Sequence, residues 1–487
     1  MIDYLIQRTL KAEGADSQEA KQVARLTNQW ICEHFNLLTL PGAESKILVG
    51  TVEDLEDAQI ALAATTLGED YCLLTEDKSF CTLLEVPLVS PSQLLVVTET
   101  TEANQPIPVL DLAPQRRSLL PELERALRSV IQDGKYIMGP EVKRFEEEVA
   151  AYLGVKHAIA VNSGTDALVI GLKALGIGAG DEVITTPFSF FATAESISTV
   201  GAKPIFVDID PLTFNIDPTQ IEAKITPQTA AIMPVHLYGH PAAMAQILAI
   251  AQKYDLKVIE DCAQAFGARY FQEAVGSEYA GNPKISDPIR GQAVGSIGDV
   301  GAYSFFPSKN LGAYGDGGLI TTDQDAVAEQ ASMLRVHGAR KKYHNEVLGY
   351  NSRLDTIQAA ILRVKLPHIN LWNQARRQAA QFYNELLSSV PGIVTPHLVE
   401  GHVFHQYTIR VLDGKRDALQ QKLAEQGIGS MIYYPVPQDQ LPVYQGQYES
   451  YEISTQLSQE VLSLPIWPEI EPEKQAHIVK VLISSLS

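Results

Sequence analysis

Short apolar runs alternate with amphipathic stretches between residues 158 and 260. The predicted strands are residues 158–161, 182–185, 203–207, 230–235 and 256–260. The predicted helices begin at Asp166, Ala192, Pro218 and Pro241. Strands and helices that alternate in this way form a mainly parallel sheet with helices on both faces. The sequence therefore predicts an α/β fold, whose ligands lie beyond the carboxyl ends of the strands.

The pattern on either side of this segment predicts the domain boundaries. Residues 1–96 carry helical stretches at 20–35 and 57–67 and a short strand at 71–75, which predicts a small α/β unit. Residues 97–106 are polar, end in proline and have no period, so we interpret them as a linker.

Residues 107–355 are predicted to form a large unit, which opens with helices at 119–131 and 141–153. Residues 356–487 are predicted to form a smaller C-terminal α+β unit with strands near 406–412 and 432–434. Residues 271–294 are rich in glycine, proline and charge, which predicts an exposed insertion.

Composition narrows the classes of function. A length of 487 residues predicts two or three domains. The net charge of −20 would repel a nucleic-acid backbone, so no nucleic-acid partner is expected. The four cysteines lack metal-type or disulfide-type spacing, which favours the cytoplasm and indicates no metal site. No uninterrupted apolar run reaches membrane-spanning length, so no membrane partner is expected.

The stretch from Gly298 to Gly312 carries the strongest chemical signal. Lys309 lies on a turn after an apolar and aromatic run, with Ser304 five residues before it and glycines after it. A confined, weakly hydrated lysine is neutral part of the time, as a Schiff-base lysine must be. Ser304 can bind a phosphate, and glycines let the backbone approach a flat ring. A surface lysine beside a glycine-rich turn is the alternative.

Other segments of the same unit supply groups that would complete a cofactor pocket. Residues 162–167, including Gly164 and Thr165, follow a strand and open a helix, where backbone N–H groups can hold a phosphate. Asp261 could pair with a protonated ring nitrogen, Gln264 could donate to a phenolate oxygen, and Phe190 could stack on the ring. A capped helix start, a surface acid, a surface glutamine and core packing are the respective alternatives.

Residues 107–487 resemble the DegT-type family of pyridoxal-phosphate-dependent nucleotide-sugar aminotransferases. The matching segments are residues 107–112, 163–168, 260–264, 304–311, 349–355 and 433–437. The resemblance implies a fold-type-I transferase with a mainly parallel seven-stranded sheet, acting as a homodimer with shared active sites. Two departures concern the substrate: the insertion at about 272–291, and Trp467 where the family more often has histidine.

The resemblance also implies a role for each matching residue. Lys309 would form the Schiff base with pyridoxal 5′-phosphate, Asp261 would pair with the pyridine nitrogen, Gln264 would face the phenolate and Phe190 would stack. Gly164, Thr165 and Ser304 would hold the phosphate, and Asn351 would reach in from the partner subunit. Arg353 and Tyr434 are candidate substrate contacts, with an interface salt bridge and packing as the alternatives.

The implied reaction moves an amino group from an amino acid, expected to be L-glutamate, to a keto group of a nucleotide-linked sugar, with C3 as the expected position. The product would serve amino-sugar or polysaccharide biosynthesis. Residues 51–80 resemble part of a PIN-like nuclease domain, in which Asp57 and Asp77 would match metal-binding positions. We interpret this unit as a truncated remnant. The alternatives are a catalytically idle regulatory or binding protein, and a bifunctional protein with an N-terminal nuclease.

Overall fold

The computed structural model of the chain divides into two compact units, Met1–Gln105 and Pro106–Ser487. It describes residues 106–271 and 289–486, together with three strands of the first unit. These strands are β1 (Asn36–Thr39), β2 (Lys46–Val49) and β3 (Tyr71–Leu73).

In the first unit, β2 lies between the other two strands and pairs antiparallel with β1 and parallel with β3. The predicted strand at 71–75 is therefore confirmed in its first three residues. The predicted helices at 20–35 and 57–67, residues 97–105 of the predicted linker, and the candidate metal positions Asp57 and Asp77 lie outside the described residues.

A seven-stranded sheet is the centre of the second unit. Its strands are β4 (His157–Val161), β5 (Glu182–Thr185), β6 (Lys203–Phe206), β7 (Thr229–Ile232), β8 (Lys257–Asp261), β9 (Val300–Ser304) and β10 (Gly318–Thr322). Their order across the sheet is β4-β10-β9-β8-β7-β5-β6. Only β10 runs against its neighbours, so the predicted mainly parallel sheet is confirmed.

Helices pack on both faces of this sheet. They are α1 (Ala113–Asp133), α2 (Pro140–Leu153), α3 (Gly164–Ala174), α4 (Ala192–Thr199), α5 (Met244–Tyr254), α6 (Asp325–Leu334) and α7 (Thr356–Lys365). Neighbouring residues of one strand enter different cores: Ile159 and Val161 pack with α3 and α6, whereas Ala160 packs with α2 and α7. Strands buried on both faces are apolar along their length, which explains the runs seen in the sequence.

The C-terminal part builds a second, smaller core. The remaining elements are β11 (Ala339–Lys341), β12 (His344–Asn345), α8 (Ile369–Leu387), β13 (Ile393–Val394), β14 (Tyr407–Val411), α9 (Arg416–Glu425), α10 (Glu452–Glu460), β15 (Val461–Leu464) and α11 (Pro472–Leu486). An antiparallel sheet β13-β14-β15 packs with α8, α9 and α11, and Trp467 is buried in this core. The separate boundary at residue 355 stays a prediction.

Two predicted elements differ from the structure. The helix expected from Pro218 is a pair of 3₁₀ turns, Pro218–Gln220 and Glu222–Lys224, because the segment is short and Pro227 follows it. The strand expected at 432–434 is absent from the described residues, where only Met431 bridges to Ser463. The backbone carbonyl of Tyr433 accepts a hydrogen bond from the hydroxyl of Tyr238 instead of a neighbouring strand.

The part of the chain that the structure describes contains no helix with the length and apolar character needed to cross a bilayer.

Glu260 fixes the loop that leads into β9. Its carboxylate is fully buried and accepts hydrogen bonds from the backbone N–H groups of Gly295, Ile297 and Gly298 at 2.7–2.8 Å. The Nε2 of His236 lies 3.0 Å from the same carboxylate. Buried charges persist only when hydrogen bonds replace their lost hydration, and Glu260 has these partners.

We expect Glu260→Gln to loosen this loop, because an amide offers one acceptor oxygen where the carboxylate offers two. The loss of charge-assisted hydrogen bonds should cost about 2 kcal/mol. Hydrogen exchange followed by mass spectrometry should show faster exchange in peptides covering residues 295–298. Glu222→Gln, which removes the same charge from an exposed pair with Lys253, is the matched control and should leave those peptides unchanged. Equal exchange in both variants would contradict this account of the loop.

Candidate active site

The candidate site lies at the carboxyl ends of two neighbouring parallel strands. Asp261 is the last residue of β8 and pairs in register with Ala302 of β9. Ser304 is the last residue of β9, and Lys309 lies on the turn that follows. This is the edge of the sheet at which the sequence predicted a ligand.

The carboxylate of Asp261 is buried and held in a defined orientation. Its Oδ2 accepts a hydrogen bond from the hydroxyl of Thr193 at 2.8 Å, and its Oδ1 accepts one from the backbone N–H of Ala263 at 3.1 Å. Burial raises the pKa of Asp261, while these hydrogen bonds and the charge of Lys309 act in the opposite direction. A cation at the open side of this carboxylate would therefore be stabilised.

Among the basic groups of the described residues, the charge of Lys309 has the largest effect on the pKa of this carboxylate. Burial lowers the pKa of Lys309 from its ordinary value to about 8, and the charge of Asp261 raises it in part. Within the described residues, no hydrogen bond engages the Nζ of Lys309. At pH 7 the amine is thus neutral in about a tenth of the molecules, far more than for an ordinary lysine, and is available for bonding.

A second lysine with a similarly lowered pKa makes its contacts outside the candidate site. Burial lowers the pKa of Lys365 to about 8, but its Nζ donates to the backbone carbonyl of Gly312. The same ammonium lies over the rings of Tyr314 and Trp372, at 5.2 and 5.9 Å from the ring centres. Lys365 therefore supports the turn that carries Lys309 and is itself unavailable as a nucleophile.

One wall of the site, beside Asp261 and Lys309, consists of Gln264, Tyr434 and Phe190. Gln264 accepts from the backbone N–H of Tyr238 at 2.6 Å and donates to the hydroxyl of Tyr434 at 2.9 Å. The ring of Tyr434 lies 6.2 Å from that of Phe190, which is 60% exposed in the single chain. Phe190 is thus free to cover a flat ligand, whereas a core role would have buried it.

The start of α3 and the end of β9 form a tight backbone cradle. A Cβ added to Gly164 would lie 2.7 Å from the Cβ of Ser304, and one added to Gly318 would lie 2.1 Å from the carbonyl oxygen of Ser163. Ser163 caps the helix by accepting from the backbone N–H of Asp166 at 3.1 Å. Gly164 and Thr165 therefore present free N–H groups at the positive end of the helix, beside Ser304.

Asn351 and Arg353 lie on the segment that borders this cradle. Ser352, between them, donates to the Oδ1 of Asn162 at 3.0 Å. Asn351 is exposed, and Arg353 has no hydrogen-bond or ion-pair partner within residues 106–271 and 289–486. In the described part of the chain, no side-chain hydrogen bond or ion pair links either residue to another candidate residue.

Several residues that build the site were not singled out in the sequence. Thr193 lies three residues after Phe190 and Glu260 lies beside Asp261, but neither was assigned a role from the sequence. A charged residue inside an otherwise apolar strand was the available signal for Glu260. Lys365 lies in a helical pattern, and nothing local to it indicated proximity to the turn that carries Lys309.

These groups fit pyridoxal phosphate. Gly164 lies close against Ser304 at the start of α3, where free backbone N–H groups and a serine hydroxyl are suited to hold a phosphate. Asp261 offers a buried carboxylate suited to a protonated ring nitrogen, and Lys309 offers an amine of lowered pKa.

We expect Gly164→Ala to weaken binding of pyridoxal phosphate by at least about tenfold, or about 1.4 kcal/mol, because the added methyl meets Ser304. Binding of pyridoxal, which lacks the phosphate, should change much less. Titration of the cofactor-free protein with both compounds measures this difference. Gly178→Ala is the matched control, since its Cβ meets nothing closer than 3.5 Å. Equal losses for both ligands, or for both variants, would contradict the assignment of the cradle.

Comparison with known proteins identifies relatives over the second unit. The chain is 44% identical over 386 residues to UDP-N-acetyl-3-dehydro-α-D-glucosamine 3-aminotransferase of Acidithiobacillus ferrooxidans, covering 79% of this chain and 99% of that protein. It is 50% identical over 384 residues to a protein of Geobacillus stearothermophilus named pleiotropic regulatory protein, covering 77% and 97%.

Among solved structures, DesV of S. venezuelae superposes with a TM-score of 0.72 at 39% identity, covering 78% of this chain and 98% of that one. NtdA of Bacillus subtilis, solved with the cofactor PMP, has a TM-score of 0.68 at 34% identity and covers 76% and 82%. The model of the DegT/DnrJ/EryC1/StrS aminotransferase family matches residues 118–483. The chain therefore belongs to the DegT/DnrJ/EryC1/StrS aminotransferase family.

Proposed function

We propose that the protein transfers an amino group from L-glutamate to the C3 keto group of a nucleotide-linked sugar, with pyridoxal phosphate as cofactor. Relatives of this chain include enzymes named for 3-amino or 3-oxo sugars linked to UDP or dTDP. We place the reaction in the cytoplasm, in amino-sugar or polysaccharide biosynthesis.

The proposal rests above all on the pairing of Lys309 with Asp261. An amine with a pKa of about 8 and a buried carboxylate act on each other at the carboxyl ends of β8 and β9. Within the described part of the chain, the Nζ of Lys309 makes no hydrogen bond. A structural ion pair would instead be expected to hold the lysine by a hydrogen bond.

The cofactor supplies an electron sink for the charge that develops at the Cα of the amino acid. In this proposal Asp261 keeps the proton on the ring nitrogen, because a buried negative charge beside the ring stabilises its protonated form. Gln264 donates to the phenolate oxygen, and Phe190 covers the ring. The amine of Lys309, when free, would take up and return the proton at the Cα of the substrate.

The protein is proposed to act as a homodimer with shared active sites. Asn351 and Phe190 are exposed in the single chain although both belong to the candidate site, and this exposure supports burial by a second copy. Asn351 would then reach the cofactor of the partner subunit. Arg353 and Tyr434 are proposed to contact the substrate, and the free guanidinium of Arg353 suits a phosphate or carboxylate.

A regulatory role is the second candidate, and the name of the relative from Geobacillus stearothermophilus favours it. One simple observation distinguishes the two candidate functions. An enzyme is expected to be yellow when loaded with pyridoxal phosphate and to change its spectrum when L-glutamate is added. The PIN-like interpretation of the N-terminal unit stays a prediction.

Replacement of Lys309 tests the proposed reaction. Lys309→Ala should abolish the visible absorbance of the lysine-bound cofactor and lower transamination by about 10²–10⁴-fold, the range of a lost acid–base group. The assay would pair L-glutamate with UDP- and dTDP-linked 3-keto sugars and detect the amino sugar by mass. Lys257→Ala, at the exposed far end of β8, is the control and should retain full activity. Unchanged turnover in Lys309→Ala would refute the proposal.

The pH dependence of cofactor attachment tests the electrostatics of the site. Only the neutral amine forms the bond, so the rate of attachment to cofactor-free protein should rise about tenfold per pH unit below a midpoint near the lysine pKa of about 8. Asp261→Asn removes the charge that raises this pKa, so its midpoint should move to lower pH. Stopped-flow visible absorbance measures both rates. A midpoint above pH 10 in the unaltered protein would contradict the lowered pKa.

A further inference from the structure

One buried residue from the C-terminal part of the chain binds the backbone that carries Phe190. The Nε2 of Gln438 donates to the backbone carbonyl of Ser189 at 3.1 Å and to that of Phe190 at 3.0 Å. The backbone N–H of Gln438 donates to the carbonyl of Pro187 at 2.8 Å. Gln438 therefore holds this segment by its side chain and by its backbone.

The orientation of the Gln438 amide follows from these contacts. Carbonyl oxygens only accept hydrogen bonds, so the group that faces Ser189 and Phe190 must be the NH₂ group. The Oε1 of Gln438 has no hydrogen-bond partner within residues 106–271 and 289–486. The side chain is 1% exposed, so bulk water does not compete for its two N–H groups. The amide thus acts on the segment as a donor alone.

The same segment is joined to Asp261 on its other side. The hydroxyl of Thr193 gives its hydrogen to the Asp261 carboxylate, so the hydroxyl of Ser189, 2.9 Å from that of Thr193, must donate to it. The backbone N–H of Thr193 donates to the carbonyl of Phe190 at 3.1 Å. A continuous path of hydrogen bonds therefore runs from Gln438 through this segment to the candidate site.

The ring of Phe190 depends on this backbone for its position. The side chain is 60% exposed in the single chain, and its ring centre lies 6.2 Å from that of Tyr434. An exposed ring can change its rotamer, so the backbone beneath it determines which volume the ring can reach. Tyr434 precedes Gln438 by four residues, so one stretch of chain supplies both the ring contact and the backbone anchor.

We propose that Gln438 is a positioning residue, which holds the backbone of Ser189 and Phe190 so that the ring of Phe190 covers the cofactor. The anchor itself is independent of the reaction, whereas the use of the ring rests on the proposed function. Loss of the two side-chain N–H groups would leave Pro187 as the one residue of the segment that Gln438 still holds. The segment, and with it the ring of Phe190, would then move more freely.

Gln438→Met tests the anchor in the cofactor-free protein, since it removes both N–H groups at nearly constant side-chain volume. We expect hydrogen exchange in peptides covering residues 188–193 to become at least about fivefold faster. Gln475→Met is the matched control, because this buried glutamine donates from its Nε2 to the backbone carbonyl of Ala379 in α8. The control should leave those peptides unchanged. Equal exchange in both variants would overturn the proposal.

Binding of the cofactor tests the position of the ring. Gln438→Met should weaken binding of pyridoxal phosphate about fivefold, and binding of pyridoxal by the same factor, because both contain the ring that Phe190 covers. A variant of the phosphate cradle should instead affect mainly the compound with the phosphate. The visible circular dichroism of each bound cofactor should also decrease in Gln438→Met, because a ring that moves freely imposes less asymmetry on its neighbour.

A double replacement separates positioning of the ring from a general loss of stability. Phe190→Ala alone should weaken binding of pyridoxal phosphate about tenfold. In the Phe190→Ala background, Gln438→Met should add less than about a twofold loss, because no ring remains to be positioned. Fully additive losses, or unchanged binding in Gln438→Met alone, would overturn the proposal. Either result would leave the proposed aminotransferase reaction standing, since Lys309→Ala tests it separately.

Discussion

A buried carboxylate and a partly buried amine at one edge of the sheet are the constraint on which the candidate site depends. Taking either group out of water disfavours its charged form, so burial raises the pKa of Asp261 and lowers that of Lys309. The charge of each group partly offsets the effect of burial on the pKa of the other. The two groups can share the site only because β8 and β9 are parallel neighbours whose carboxyl ends meet.

The surrounding residues support this pair by holding the backbone and the Asp261 carboxylate in fixed positions. Thr193 and the N–H of Ala263 orient Asp261, and Glu260 anchors the loop that leads into β9. Lys365 anchors the carbonyl of Gly312 just after the turn that carries Lys309. The phosphate cradle follows the same principle, since it consists of close backbone contacts that only glycine permits at Gly164 and Gly318.

Much of the fold could be predicted because its signals are local. Buried parallel strands are apolar along their length, and β4 to β8 were found at or within one to three residues of their predicted ends. One of the two differing elements lies where a tertiary contact overrides the local pattern. The backbone carbonyl of Tyr433 accepts a hydrogen bond from the hydroxyl of Tyr238, which lies 195 positions away. The apolar run at 432–434 therefore resembles a strand in sequence but does not form one.

The candidate residues were predictable in type but not in arrangement. Lysine, aspartate and glycines at strand ends indicate a phosphate-bearing cofactor, yet the contact from Asn310 to Asn373 spans 63 positions and that to His405 spans 95. No single-sequence pattern brings such residues together.

The central claim is that Lys309, and not the other lysine with a pKa lowered to about 8, bonds the cofactor. Borohydride reduction of the loaded protein followed by peptide mapping tests this directly. The account predicts a pyridoxyl phosphate adduct on the peptide that contains Lys309. An adduct on the peptide that contains Lys365, or no adduct on a visibly yellow protein, would contradict it.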